Sequence, residues 1–146
     1  MTERGQRRLR AAGWVLGRRV SLPPSVAFFL PDGDQPWRAF LEEFSGLSIR
    51  AADGRAVWFD AARAMTDDDL ACREDYARRA GCELFPVGGY SHLVIYLGAD
   101  GRLYGGHDDD FAILGSTAAE AVDGLLAPDP PIPLTGPPPS REEGPT

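Results

Sequence analysis

The sequence predicts a single α+β domain in which helices flank a largely antiparallel, mixed β-sheet. Two Asp-Gly pairs, at residues 53–54 and 100–101, each lie between short apolar runs, a pattern typical of tight β-hairpin turns. Capped helical segments occur before, between and after these hairpins instead of alternating with single strands. That order favours α+β over a parallel α/β fold.

Two helices are predicted in the first third of the chain. One spans residues 3–12, with Thr2 as a candidate N-cap and Gly13 as its stop. The other begins near Asp34 and Pro36 and ends at Gly46. Apolar residues of the second helix recur at the spacing of one helix face, which places them in the core: Trp37, Phe40, Leu41 and Phe44.

The segment between these helices is rich in proline, which prevents a long helix there. Its apolar side chains are expected to be buried: Val26, Phe28, Phe29 and Leu30.

Strands are predicted around the two Asp-Gly turns and on either side of them. The first hairpin pairs residues 47–49 with 57–59, and the second pairs 93–97 with 103–104. Further strands are expected at Leu84 and Phe85 and at residues 111–114. These segments form the predicted sheet.

Two more helices follow from capping patterns. After a loop through Met65, Thr66 and Asp69 have the spacing of a capping box, and Gly81 ends the helix. Thr117 and Glu120 form a second capping box, for a helix that Pro128 ends. The tail, residues 128–146, is dominated by proline and polar residues and is expected to be flexible with polyproline character.

Charge is distributed unevenly along the chain. Residues 1–59 contain nine arginines and six acidic residues, whereas residues 60–146 contain six arginines and sixteen acidic residues, giving the net charge of −7. An acidic second half argues against nucleic acid as a direct ligand and favours a basic partner. The longest apolar run falls far short of the roughly 18 residues of a membrane span, and the N-terminus lacks an apolar signal region, so a cytoplasmic protein is expected.

Acidic clusters are the candidate partner-binding surfaces. They are Asp108, Asp109 and Asp110; Asp67, Asp68 and Asp69; and Glu42 and Glu43. The first cluster lies between two predicted strands, where a binding protein displays exposed charged residues. Two alternatives stay open: such runs are often solvated faces that keep a protein in solution, and residues 67–69 could stabilise a helix N-terminus.

Few residues of the chain suit an enzyme active site. His92 and His107 are the only histidines, and residues 108–110 lack the spacing of a calcium loop, so no metal or other cofactor is predicted. Cys72 and Cys82 match no common zinc signature and are interpreted as reduced, buried thiols. No G-x-S-x-G motif occurs. Ser91 and His92 are expected on opposite faces of a strand, with the histidine partly buried.

Four segments carry a family resemblance: "AAGWVLGRRV", "FLEEFSGLSI", "ELFPVGGYSHLVIYLGADGRLYGG" and "ILGSTAAEAVDGLLA". Together they resemble the third subfamily of the SUKH superfamily of bacterial immunity proteins, with its Smi/Knr-like fold, over roughly residues 9–127. The shared features are turns and core positions, such as Gly13-Trp14 and the hairpin at residues 100–104. None of them is a catalytic motif.

The resemblance implies a small, non-enzymatic protein that is encoded beside a polymorphic toxin and neutralises it by binding the toxin domain. The expected toxin is a nuclease or nucleic-acid deaminase, and its surface is expected to be basic. Residues 1–127 would form the immunity domain, and residues 128–146 the tail. The alternatives are a regulatory or scaffold adaptor of the same fold that docks a partner through the tail and, third, a small metal-dependent hydrolase.

Overall fold

The computed structural model describes residues 3–30 and 36–127. Six helices lie in these two ranges: α1 (Glu3–Ala11), α2 (Pro24–Ala27), α3 (Trp37–Phe44), α4 (Ala61–Asp67), α5 (Leu70–Ala80) and α6 (Ala118–Leu126). The predicted caps Thr2 and Asp34, the helix-ending Pro128 and the tail lie outside the described residues.

Six strands form one sheet in the order in which they occur along the chain: β1 (Ser48–Arg50), β2 (Ala56–Phe59), β3 (Leu84–Tyr90), β4 (Leu93–Gly98), β5 (Leu103–His107) and β6 (Asp110–Gly115). Every pairing is antiparallel, which confirms the predicted α+β class. Both Asp-Gly pairs lie in hairpin turns, and Gly54 and Gly101 have the positive φ values, 94° and 85°, that favour glycine. Each strand therefore pairs with its neighbour in sequence.

The two faces of the sheet carry different cores. Because side chains alternate along a strand, Ile95 and Leu97 of β4 point to one face and Val94 and Tyr96 to the other. The first face carries the larger cluster, here called the apolar core, to which α1, α3 and α6 contribute. Its largest fully buried side chain is Trp37, whose indole N–H donates to the Leu97 carbonyl at 2.7 Å.

The opposite face carries a smaller set of side chains, here called the tyrosine cluster: Tyr76, Tyr96, Tyr104, Ala64, Leu84 and Val94. Tyr76 is the only residue that α5 buries, and its ring stacks on Phe111 with centroids 4.9 Å apart. Gly106 makes room for this packing, since a Cβ there would lie closer than 3.0 Å to three atoms of the Tyr76 ring. The cluster thus joins α5 to β4, β5 and β6.

The last helix is capped at both ends. The Glu120 N–H donates to Thr117 Oγ1 at 3.1 Å, and Glu120 Oε1 accepts from the Ser116 N–H at 2.9 Å, in agreement with the predicted capping box. At the other end, the Arg55 guanidinium donates to the carbonyls of Leu125, Leu126 and Ala127, each at 3.2 Å. A cation at a helix C-terminus satisfies carbonyls that have no partner within the helix.

Four local predictions were wrong. The expected loop through Met65 is helix α4, whose N-cap Asp60 accepts from the Arg63 N–H. Thr66 lies inside that helix and donates to the Arg63 carbonyl, so the N-cap of α5 is Asp69. Of the apolar residues expected to be buried before Pro31, Val26 is buried and Leu30 is half-buried. Phe28 and Phe29, in contrast, are 81% and 58% exposed.

The fourth error concerns Ser91 and His92. Both residues are exposed and lie in the turn between β3 and β4, so neither is on a strand and the histidine is not buried. Ser91 has a φ of 56°, a left-handed turn conformation that is incompatible with the expected strand.

Candidate functional site

An acidic groove opens where three turns of the chain meet beside the tyrosine cluster. We define this acidic groove by six of its lining residues: Asp67, Asp69, Tyr76, His92, His107 and Asp108. The α4–α5 junction contributes Asp67 and Asp69, whereas the end of β5 and the turn that follows it contribute His107 and Asp108. Members of two acidic clusters that are about forty positions apart in sequence therefore share one surface.

The β5–β6 turn is held in place through its backbone. Asp108 has a left-handed φ of 53°, and its carbonyl accepts from the Tyr76 hydroxyl at 2.5 Å. The next carbonyl, that of Asp109, accepts from Arg79 at 2.9 Å. The side chain of Arg79 is only 1% exposed and also pairs with Asp75 at 2.5 Å. The side chains of Asp108 and Asp109 project from this fixed turn and are exposed, whereas Asp110 is half-buried at the start of β6.

The α4–α5 junction is fixed by its middle residue. The side chain of Asp68 is 8% exposed, and its two oxygens contact the Tyr96 hydroxyl at 2.8 Å and the Arg73 guanidinium at 3.2 Å. Asp69 caps α5 by accepting from the Cys72 N–H at 3.1 Å. Asp67 is exposed. Asp68 thus holds the segment together, while Asp67 and Asp69 present carboxylates to the acidic groove.

Glu42 and Glu43 lie elsewhere, on α3. Glu43 accepts from the Trp14 indole N–H at 2.8 Å. Glu42 lies 3.3 Å from Arg19 and 3.9 Å from Arg38. Both glutamates are half-buried, and neither lines the acidic groove. The third predicted cluster is therefore separate from the other two and is already engaged by cations and an indole of the same chain.

The two histidines meet at the rim of the acidic groove. Their rings stack with centroids 5.8 Å apart at an interplanar angle of 29°. His107 Nε2 also lies 3.5 Å from Asp108 Oδ2. The stacking joins the β3–β4 turn to the β5–β6 turn, so three turns of the chain form the walls of one groove.

The thiol of Cys72 at this site is not activated for catalysis. Cys72, half-buried in the wall of the groove, has its pKa raised by burial and then by the negative charge of Asp69, which keeps the thiol protonated at neutral pH. Cys82 is also a free, half-buried thiol. Within residues 3–30 and 36–127, no group of three His, Cys, Asp or Glu side chains is arranged to hold a metal ion.

The acidic groove is small. Its volume is about 100 Å³, and its openings face solvent. Pockets for drug-sized ligands are typically several times larger, about 300–1,000 Å³. A cavity of about 370 Å³ lies between α2 and α4, but its charged residues have structural roles: Arg18 donates to two backbone carbonyls and Asp60 caps α4. The size and the charge of the acidic groove suit the ends of cationic side chains better than a metabolite.

Sequence reasoning missed the residues that position the carboxylates, namely Tyr76, Tyr96 and Arg79. They bind the acidic turns mainly through backbone carbonyls, which leave no trace in a sequence pattern. The one available signal was the spacing of Asp75, Tyr76 and Arg79, which places a cation and an aromatic ring on the same side of a helix.

Comparison with known families assigns the chain to a class of toxin-neutralising proteins. The sequence matches the SUKH-3 immunity protein family over residues 1–127, which includes every described residue. The chain belongs to this family, and an immunity protein role follows from that membership. No curated protein and no solved structure matches the chain.

Family membership gives the coarse function. Immunity proteins of this kind bind a cognate toxin and are generally not enzymes. Among the residues that the structure describes, no helix combines the length and the apolar character required to cross a membrane.

Proposed function

We propose that this protein neutralises a basic, nucleic-acid-cleaving or nucleic-acid-deaminating toxin domain in the cytoplasm, and that the acidic groove receives cationic side chains of that toxin. The observation that carries this proposal is the meeting of Asp67, Asp69 and Asp108 on one surface of a member of an immunity protein family. Enzymes that act on nucleic acids bind phosphates with lysine and arginine. Carboxylates that pair with those lysine and arginine side chains compete with the nucleic acid for them.

Rigid placement of the carboxylates supports a role in binding. The Tyr76–Asp108, Arg79–Asp109 and Tyr96–Asp68 hydrogen bonds hold both acidic turns before a partner arrives. A surface that is ordered in advance loses less conformational entropy on association. The net charge of −7 would also steer a basic partner and raise the rate of association at low salt.

We further propose that neutralisation requires no catalysis and no cofactor. The side chains of Asp69, Tyr76 and Tyr96 in the groove are engaged in capping and turn-fixing bonds. The thiol of Cys72 is held in its less nucleophilic, protonated form because burial raises its pKa. Inhibition would then be stoichiometric, with one immunity protein blocking one toxin domain. Neither direct nucleic-acid contact nor a membrane has a place in this mechanism.

The test is binding to the toxin domain encoded beside this gene, purified in an inactivated form. We expect a stoichiometric complex whose association slows as salt rises, and rescue of cells that co-express the active toxin. A neighbouring gene product that is not a toxin, or a toxin that still kills in the presence of this protein, would contradict the proposal.

A truncated chain ending at residue 127 separates the proposed function from the adaptor alternative. The family match ends at residue 127, so we propose that residues 1–127 form the complete immunity domain. Toxin binding should be unchanged in this truncated chain. If binding disappears with the tail, the proline-rich segment and not the domain holds the partner.

A further inference from the structure

Two adjacent phenylalanines project from the surface just after α2. Phe28 is 81% exposed and Phe29 is 58% exposed, and their rings meet edge to face with centroids 5.1 Å apart. Their backbone N–H groups donate to the carbonyls of Pro24 and Val26, at 3.0 and 3.1 Å, and Val26 is buried. The two rings are thus presented by a fixed helical turn. Exposed, rigid aromatic side chains are common energetic anchors of protein interfaces.

An apolar cavity adjoins this pair. It measures about 250 Å³, and its apolar walls are Phe29, Met65, Phe85 and Pro86. The two charged residues beside it, Asp68 and Arg73, form an ion pair with each other at 3.2 Å. The cavity therefore offers an apolar surface without an uncompensated charge, which suits an aliphatic or aromatic side chain of a partner.

The aromatic pair and the acidic groove lie on either side of one three-residue segment. Asp67 and Asp69 line the acidic groove, and Asp68 between them lines the apolar cavity. Because the Tyr96–Asp68 hydrogen bond fixes this segment, the two surfaces keep a constant relative position. A partner that contacts one surface is adjacent to the other.

We propose that the toxin domain covers Phe28 and Phe29 and inserts an apolar side chain into the adjoining cavity while its cations occupy the acidic groove. This inference rests on the proposed function and adds that the toxin presents an apolar side chain beside its basic residues. The aromatic pair contributes affinity through burial, and the carboxylates contribute the rate of association.

Charge favours the toxin over the two other possible occupants. A second copy of this chain carries the same net charge of −7 and would bring a second acidic groove toward the first. Residues 128–146 contain Asp129, Glu142 and Glu143 against Arg141 alone, so they are also negative. A basic partner is the one that the acidic groove beside the aromatic pair attracts.

The experiment replaces the pair in the full chain (Phe28→Ser with Phe29→Ser) and measures binding to the inactivated toxin domain encoded beside the gene. We expect affinity to fall roughly 10- to 100-fold, mainly through faster dissociation, because anchor residues in an interface typically carry effects of this size. The melting temperature should not fall, because both rings are already exposed.

The matched control is Val15→Ser with Leu16→Ser. These residues are 57% and 82% exposed but line neither the acidic groove nor the apolar cavity, so toxin affinity should be unchanged. If the wild-type chain fails to bind the toxin, the proposed function is lost. If the wild type binds and the phenylalanine variant binds equally well, only the inference about the aromatic pair is lost.

Two further results would assign the pair to another occupant and overturn the inference. One is a wild-type dimer in sedimentation that the phenylalanine substitutions convert to a monomer. The other result concerns the fluorescence of an apolar dye bound to the protein. If removal of residues 128–146 raises this fluorescence, but not in a chain that also has both phenylalanines replaced, the tail covers the pair. If the wild type is monomeric and binds the dye as strongly as the truncated chain does, neither a second copy nor the tail covers the phenylalanines. That result supports the toxin as the occupant.

Discussion

The apolar core and the tyrosine cluster cover opposite faces of the same sheet with different chemistry. In the apolar core, large side chains such as Trp37 and Leu41 are fully buried among other apolar residues. In the tyrosine cluster, the hydroxyls of Tyr76, Tyr96 and Tyr104 reach out and bond to Asp108, Asp68 and Asp100. The first face stabilises the fold by excluding water. The second face also fixes acidic turns at the surface, and the proposed partner site lies there.

The largest expected effect is a cavity in the apolar core. Replacing Trp37 by Ala removes a side chain that is 1% exposed and should lower the free energy of unfolding by about 3–5 kcal/mol. Denaturant unfolding followed by circular dichroism measures this loss. Phe40→Ala is the comparison, because Phe40 is half-buried at the margin of the same core and should cost less. An unfolding midpoint that barely moves in Trp37→Ala would show that this face is not the main core.

A second substitution tests the packing of the tyrosine cluster. Gly106→Ala places a Cβ against the Tyr76 ring, which is held between Phe111 and Tyr96, and should cost roughly 1–3 kcal/mol of stability. Gly105→Ala is the neighbouring control on the other face. There the Cβ meets the end of the aliphatic Leu93 side chain, which is more flexible than an aromatic ring held between two others, so the loss should be smaller. Equal losses in thermal unfolding would contradict a tightly packed tyrosine cluster.

The sequence predicted most of the fold because its signals are local. Asp-Gly turns specify the hairpins at residues 53–54 and 100–101, and a capping box specifies the start of α6. Helix α4 was missed because its alanine-rich sequence has no apolar stripe, although Asp60 was available as an N-cap. Hydrophobicity alone also misplaced Phe28 and Phe29, since it does not distinguish a core residue from one that a partner could cover.

The candidate site was predicted only in part, for a different reason. The aspartate runs are visible in the sequence, but their meeting depends on the long-range pairing of the sheet and on the position of α5 against it. Asp68 shows the limit most clearly. In sequence it is equivalent to its two neighbours, yet its side chain is 8% exposed and bonded to Tyr96 and Arg73, whereas the neighbours face the acidic groove. Only the folded chain separates these roles.

A smaller effect on stability is expected at high pH, where the buried tyrosines lose their protons. Burial raises the pKa of Tyr76, Tyr96 and Tyr104 above the ordinary value of 10.0, and the charges of Asp68 and Asp100 raise those of Tyr96 and Tyr104 further. The unfolded chain therefore loses these protons first as pH rises. Stability is retained below about pH 10 and is lost progressively above it, toward the higher folded pKa values.

Urea unfolding between about pH 8 and about pH 11 measures this loss of stability with pH. Tyr96→Phe should cost about 0.5–1.5 kcal/mol at neutral pH by removing the hydrogen bond to Asp68, and should also make the alkaline decline shallower. The apolar core provides the contrast, because Leu41→Ala should lower stability at every pH without changing the slope. If the loss of stability with pH is the same in Tyr96→Phe and wild type, Tyr96 does not contribute to the pH response.

The smallest effect on stability, and the sharpest test of the acidic groove, is expected from replacing Asp67 and Asp108 together by Asn. Both side chains are exposed, and Asn tolerates the left-handed φ of 53° at Asp108, so the free energy of unfolding should change by less than about 0.5 kcal/mol. Association with the inactivated toxin domain should nevertheless become slower and less dependent on salt, because two steering charges are gone. Glu42→Gln with Glu43→Gln removes the same amount of charge from α3 and should leave the association rate closer to wild type. Stopped-flow rates at two ionic strengths distinguish a specific surface from net charge: if both double variants slow association equally, the groove has no special role in capture of the toxin.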